Sequence, residues 1–133
     1  MRLSVIVPAK DEEDSIETTL ISILCTLRSY QIPFEVVVVD DGHNPGIDHL
    51  CRARGARLVR SSTHRGAGAA RNQGTRLCTG EILAFVDADV AVDRGALRHL
   101  IAPIGMGLAD ATVGRYSPDV RGLRFARAYK QLY

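Results

Sequence analysis

Asp87 and Asp89 stand two residues apart behind the apolar run Ile82-Leu83-Ala84-Phe85-Val86. If the segment stays extended, both carboxylates project to one side and offer hard oxygen ligands to Mg²⁺ or Mn²⁺, with diphosphate oxygens and water completing the shell. A cation held this way neutralises a departing diphosphate. The same pair also suits a turn and a cap for a helix beginning near Asp93.

A second acidic group, Asp40-Asp41-Gly42, closes another apolar run. Asp41 can accept a hydrogen bond from the imide N–H of a uracil or from a guanine edge, and a plain Asp-Gly turn explains it as well. Pro8 to Glu12 forms a third polar cluster behind an apolar run. Asp11, Glu12, Glu13 and Asp14 also suit the start of a helix, where free N–H groups and the macrodipole favour negative charge. Gly66-x-Gly68 opening a helix invites a dinucleotide-binding reading, but Arg71 occupies the place of the third glycine and the motif follows the third strand, not the first. Arg71 fits better as a cationic partner for a diphosphate or for the neighbouring carboxylates, with Gly66, Ala67, Ala69 and Ala70 allowing close helix packing. His43, His49, His64 and His99 have no metal-ligand spacing, and neither a Gly-x-Ser-x-Gly motif nor a phosphate loop occurs.

These residues need a frame. Leu3 to Val7, Phe34 to Val39, Arg57 to Val59 and Ile82 to Val86 read as strands, the first stopped by Pro8, and Ala111 to Tyr116 as a fifth. Helices are expected over about Glu12 to Arg28, Ile47 to Ala53, Gly66 to Leu77 with an end near Gly80, and Asp93 to Ile101. Strands that alternate with helices and are continuously apolar imply an open, mostly parallel α/β sheet with helices on both faces, a Rossmann-like arrangement. Its ligand crevice lies at the carboxyl ends of the strands, where all three polar clusters fall. The final stretch, Arg121 to Tyr133, reads as a basic amphipathic helix, so the expected division is a domain over residues 1–116 and a tail over 117–133.

The 133 residues, 46% hydrophobic and 24% charged, describe one soluble globular domain or part of one. Net charge is +2, but residues 114–133 hold a local +4, leaving −2 for the remainder. A slightly acidic core without interleaved basic and aromatic residues argues against nucleic-acid binding. No run approaches the roughly 20 apolar residues of a membrane span, and no secretory leader is recognisable. Cys25, Cys51 and Cys78 are odd in number and lack metal spacing, as expected of reduced structural thiols in a cytoplasmic protein.

Taken in order, Val5-Ile6-Val7-Pro8-Ala9-Lys10-Asp11-Glu12, Val36 to Gly42, Gly66 to Gly74 and Phe85-Val86-Asp87-Ala88-Asp89 resemble the family-2 glycosyltransferases. The resemblance covers about residues 3–116 and implies a GT-A-type fold that binds a nucleoside-diphosphate-sugar with a divalent metal. It implies that Pro8, Asp11 or Glu12, and Asp41 line the nucleotide base, that Ala9 belongs to the same nucleotide-sugar site, and that Arg71 lies near the nucleotide and its phosphates. Asp89 is implied as a direct metal ligand, and Asp87 as a ribose or water-mediated metal contact. His43 departs from the Ser common after Asp-Asp-Gly, and Ala91 from the polar ligand of some polyprenyl-phosphate members. Inverting members supply a general base from a segment well beyond the Asp-x-Asp motif, and neither Asp110 nor Asp119 suits that role. The expectation is therefore the donor-binding half of an inverting glycosyltransferase with an unknown acceptor. A rival is a nucleotide-sugar-binding module that needs another segment or chain to act. A third is a piece that docks through its basic tail on a partner or on a membrane's cytoplasmic face.

Overall fold

The computed structural model describes residues 1–42, 44–61 and 64–116. His43, Asp119 and the expected tail helix over Arg121 to Tyr133 lie outside the described residues. Eight elements alternate: β1 (Leu3–Ala9), α1 (Glu13–Arg28), β2 (Phe34–Asp40), α2 (Pro45–Arg54), β3 (Arg57–Arg60), α3 (Ala67–Leu77), β4 (Ile82–Phe85) and α4 (Ala96–Gly105). All strand pairings are parallel and the sheet order is β3-β2-β1-β4. The open parallel α/β sheet expected from the sequence is what forms.

Alternate residues of the two central strands serve two cores, which is why those runs are apolar throughout. Leu3, Val5, Val7, Val36 and Val38 pack with Ile16, Leu20, Ile23 and Leu27 of α1 and with Leu97 and Ile101 of α4. On the opposite face Ile6, Val37 and Val39 pack against Ala70 of α3. A Cβ on Gly74 of α3 would stand 2.6 Å from Ile6 Cγ2 and 3.1 Å from Val39 Cγ2. Close approach of α3 therefore rests on Ala70 and Gly74. It does not rest on Gly66 or Ala67, which are less buried.

Three further expectations change. Pro8 does not stop β1, which runs on to Ala9. Val86 donates its N–H to the carbonyl of Ile6, and Asp41 donates to that of Ala9, so even positions of β1 face β4 and odd ones face β2. Pro8 thus aims its missing N–H at the β4 side beyond the last paired residue, Phe85, where no ladder bond is lost. Helix α4 begins at Ala96, not Asp93, behind Gly95 in the left-handed region at φ 87°. Ala111 to Tyr116 is not a strand: Thr112 donates its hydroxyl to the Leu100 carbonyl at 2.8 Å and Val113 is 93% exposed, so the segment runs beside the middle of α4 without joining the sheet.

Among the described residues no helix is long and apolar enough to cross a membrane. The three cysteines are free thiols.

Candidate functional site

Parallel strands bring their carboxyl ends to one edge, and the loops behind β1, β2 and β4 meet there with the start of α3. They enclose an open cleft of about 400 Å³, lined by Pro8, Ala9, Lys10, Glu12, Asp41, Ala67, Ala70, Arg71, Asp87, Ala88, Asp89, Val90 and Tyr116. Seven of the eight expected site residues line this one space. The exception is Asp11, an exposed residue in the left-handed region at φ 51°, set beside Gly42 and not among the lining groups.

Asp41 is 2% exposed, and the end of β2 holds it at the base of the cleft. Its Oδ2 accepts the N–H of Gly66 at 2.8 Å, and its carbonyl accepts from His64 Nδ1 at 2.7 Å. Burial pushes the carboxyl up, but the Ser61 hydroxyl, the Gly66 amide and the charges of His64 and Lys10 outweigh it and hold the group below the usual carboxylate range. No hydrogen bond from the described residues reaches the buried Oδ1. An unsatisfied buried oxygen costs on the order of 1–3 kcal/mol, so a ligand N–H that reached it would recover that free energy. The neighbouring Asp40 is engaged within the fold. Its Oδ1 accepts the Gly42 amide at 3.0 Å and its Oδ2 meets Arg60 Nη1 at 2.8 Å, joining the ends of β2 and β3.

Asp87, Ala88 and Asp89 do not form the extended segment expected from their spacing. Asp87 accepts the Val90 N–H through its carbonyl at 3.1 Å, so the backbone turns there, yet both carboxylates still line the cleft. Arg71, on the first turns of α3, donates from Nη2 to Asp87 Oδ1 at 2.6 Å. Tyr116 completes the rim. Burial and the carboxylates of Asp87 and Asp89 push its phenol up, with Arg71 opposing, so it stays neutral at ordinary pH.

Asp87 and Asp89 are a donor pair that fits Mg²⁺ or Mn²⁺ only with help. Among the described residues no group of three or more His, Cys, Asp and Glu side chains could hold a metal ion. Oxygens of a bound ligand and water would have to complete a shell of about six.

Lys10 and Tyr116 are cleft residues to which sequence reasoning gives no role. Lys10 is legible only as part of the first polar cluster. Tyr116 falls in a run that reads as a strand, and no local pattern links it to carboxylates some 27 positions earlier.

The model of glycosyl transferase family 2 matches residues 4–131. Glycosyltransferase AglD of Haloferax volcanii is 32% identical over 128 residues, which is 90% of this chain and 20% of that protein. An uncharacterized glycosyltransferase of Mycobacterium tuberculosis is 31% identical over 123 residues, or 92% of this chain and 52% of that protein. The chain thus spans from a fifth to about half the length of these relatives. Among solved structures, S. aureus TarS 1-349 superimposes with a TM-score of 0.68 and 28% identity, covering 90% of this chain and 39% of that one. Glucosyl-3-phosphoglycerate synthase from M. tuberculosis, crystallised with Mn²⁺, UDP and glucosyl-3-phosphoglycerate, does so with a TM-score of 0.65 and 26% identity over 77% of this chain and 39% of that one. Four ordered motifs, a parallel sheet that gathers them at one edge and a family match over nearly all of the sequence agree: the chain belongs to glycosyl transferase family 2.

Proposed function

We propose that this chain is the donor-binding part of an inverting, metal-assisted glycosyltransferase, which moves a sugar from a nucleoside diphosphate to the hydroxyl of an acceptor. The observation that carries the reading is the convergence of Asp41, Arg71, Asp87 and Asp89, from three separate elements, on one cleft.

In the reaction the acceptor hydroxyl gives its proton to a general base from another segment or chain, and its oxygen forms a bond to the anomeric carbon as that carbon's bond to the diphosphate breaks, the electron pair leaving with the diphosphate. The residues of this chain act on the leaving side. Asp41 selects the base through its buried Oδ1, and Pro8 and Ala9 form the wall beside it. Asp87 and Asp89 would hold the cation, and Asp87 also faces the ribose. A bound Mg²⁺ or Mn²⁺ supplies charge neutralisation for the departing diphosphate. Arg71 offers a second positive charge to the phosphates, and Lys10 a third. Co-crystallisation of Mn²⁺ and UDP with a protein of the same fold at 26% identity supports the ligand class.

One observation favours a second reading. The carboxylates lining the cleft among the described residues are Glu12, Asp41, Asp87 and Asp89, all on the donor side. A general base for the acceptor is not among them, as expected of a nucleotide-sugar-binding module that acts with another segment or chain.

Calorimetric titration with UDP and with GDP, each with and without Mn²⁺, tests the donor site. Metal-dependent binding that disappears in Asp89→Ala supports it, and a folded chain that binds neither nucleotide refutes it. A donor-hydrolysis assay on the same sample then separates enzyme from binding module.

A further inference from the structure

The buried face of α1 carries three hydroxyl residues, Ser15, Thr19 and Thr26, of which Thr19 is the most deeply buried. Thr19 is 1% exposed and lies among Ile16, Leu20 and Ile23. A hydroxyl buried in such surroundings is costly unless it is hydrogen-bonded. The Thr19 Oγ1 donates at 2.8 Å to the carbonyl of Ala88, the residue between Asp87 and Asp89 and 69 positions away in sequence. A longer contact, 3.2 Å, reaches the Ser15 carbonyl one turn earlier in the helix. One turn later Ser22 grips the far side of the same loop: its Oγ accepts the Val92 N–H at 2.9 Å while donating to the Thr19 carbonyl at 2.7 Å.

We propose that Thr19 is a positioning residue for the cation-binding pair, acting through the Ala88 carbonyl, with Ser22 as its outer support. This rests on the reading of Asp87 and Asp89 as the residues that hold the metal. One peptide plane carries the effect. The Ala88 carbonyl and the Asp89 N–H belong to the same rigid unit, so fixing that oxygen fixes the direction in which the Asp89 Cα leaves it. Other ties act on neighbouring atoms of the loop: the backbone bond from Val90 to Asp87 closes the turn, Arg71 holds the Asp87 carboxylate, and the Val86 N–H bonded to the Ile6 carbonyl precedes both aspartates, whereas the Thr19 hydroxyl holds the peptide between them. Two carboxylates can share one cation only if both are aimed at it, and a side chain that locks their backbone makes them ready before the ligand arrives. Apolar packing of Ala88, 3% exposed, fixes its depth but not the rotation of its peptide, and the hydroxyl supplies that rotation.

The test compares UDP affinity with and without Mn²⁺ in the full chain, for wild type, Thr19→Val, Thr19→Ser and Ser22→Ala. Valine keeps the shape and removes the donor, and serine restores it. The expected result is about a tenfold loss of UDP affinity in Mn²⁺ for Thr19→Val and less than a twofold change without the metal, consistent with the worth of one buried hydrogen bond. Thr19→Ser is expected to recover most of the metal-dependent affinity. Ser22→Ala, at a half-buried position, is expected to show a loss of two- to fivefold in the same metal-dependent direction, and it decides the matter if Thr19→Val does not fold. Equal losses with and without Mn²⁺, no loss in either variant, or no recovery with serine would reduce Thr19 to a packing residue and overturn the proposal. If wild type itself binds neither UDP nor GDP in a metal-dependent way, the reading of the cleft fails and this role fails with it.

Discussion

The backbone N–H of Gly66 donates to Asp41 Oδ2 at 2.8 Å, which ties the end of β2 to the entry of α3 across the base of the cleft. Gly66 reaches that position at φ 89°, in the left-handed region that a residue with a Cβ rarely adopts. One carboxylate oxygen is thus spent on the fold, and the other, Oδ1, is buried without a hydrogen bond from the described residues.

Replacing Asp41 with Ala is expected to lower unfolding free energy by about 1 kcal/mol, because the half-buried Gly66 N–H loses its partner while the cost of the unsatisfied Oδ1 is removed with it. Asp41→Asn can still accept that N–H through its amide oxygen, so it should keep most of the stability while weakening nucleotide binding. Urea unfolding and UDP titration of both variants separate the two effects. Equal stability of Asp41→Ala and wild type would contradict the structural role of the carboxylate.

Stability should also fall on acidification. Glu35 and Asp41 both have carboxyls held below their ordinary values; for Glu35, burial pushes up and hydrogen bonds from the Ser4 hydroxyl and from the Thr79 amide and hydroxyl outweigh it. On unfolding these groups return towards 4.5 and 3.8. Their contribution is therefore fully present above those values and is lost as pH falls through the lower values of the folded state. The urea midpoint is expected to hold from pH 7 to 5 and to fall below about pH 4.5, with part of the fall absent in Glu35→Gln. A midpoint unchanged down to pH 3 would contradict it.

Gly74→Ala tests the seam between α3 and the sheet. The new methyl group would meet Ile6 Cγ2 at 2.6 Å and Val39 Cγ2 at 3.1 Å, both branches of stiff, fully buried side chains. The helix would have to lift, at an expected cost of about 1–3 kcal/mol despite alanine's better helix propensity. An unchanged or raised denaturation midpoint would show that α3 is not held that close.

The four strands and four helices were legible because each strand is a short apolar run and the helices keep a helical spacing of buried residues. The helix expected from Ile47 starts two residues earlier as α2, because the Asn44 side chain accepts the Gly46 N–H at 2.9 Å and proline suits the first helical turn, a start signal that apolar spacing alone passes over. The strand expected over Ala111 to Tyr116 failed because a strand needs a ladder partner, and only the fold decides whether one is within reach. Asp41, Arg71, Asp87 and Asp89 could be read as motifs because strand ends and helix starts recur in a fixed place in parallel sheets. Thr19 and Tyr116 could not: one looks like a polar break in a helix and the other like an ordinary aromatic, until the chain folds back on itself.

Arg71→Gln distinguishes a binding arginine from a structural one. Its ion pair with Asp87 at 2.6 Å joins side chains that are 35% and 42% exposed, so solvent screening leaves it worth at most about 1 kcal/mol to stability. A charge-assisted bond to phosphate is worth roughly 1.5–3 kcal/mol, or about 10- to 100-fold in affinity. The variant is expected to unfold nearly as wild type does and to bind UDP at least tenfold more weakly. A large loss of stability with UDP affinity intact would reverse the assignment.

Tyr116 supplies the one aromatic ring among the residues lining the cleft, on the rim nearest Asp87 and Asp89. Its phenol is pushed above the ordinary value of 10.0, first by burial and then by those carboxylates, so it stays a neutral donor throughout the range in which the protein would work. Ring and hydroxyl can be separated by comparing Tyr116→Phe with Tyr116→Ala. If the ring acts as a wall against the bound nucleotide-sugar, Ala should cost about fivefold in affinity, the equivalent of about 1 kcal/mol, and Phe should cost less than twofold. Should Phe bind as weakly as Ala, the hydroxyl and not the ring makes the contact. If neither variant changes affinity for UDP or for a UDP-sugar, Tyr116 stands beside the cleft without taking part in binding.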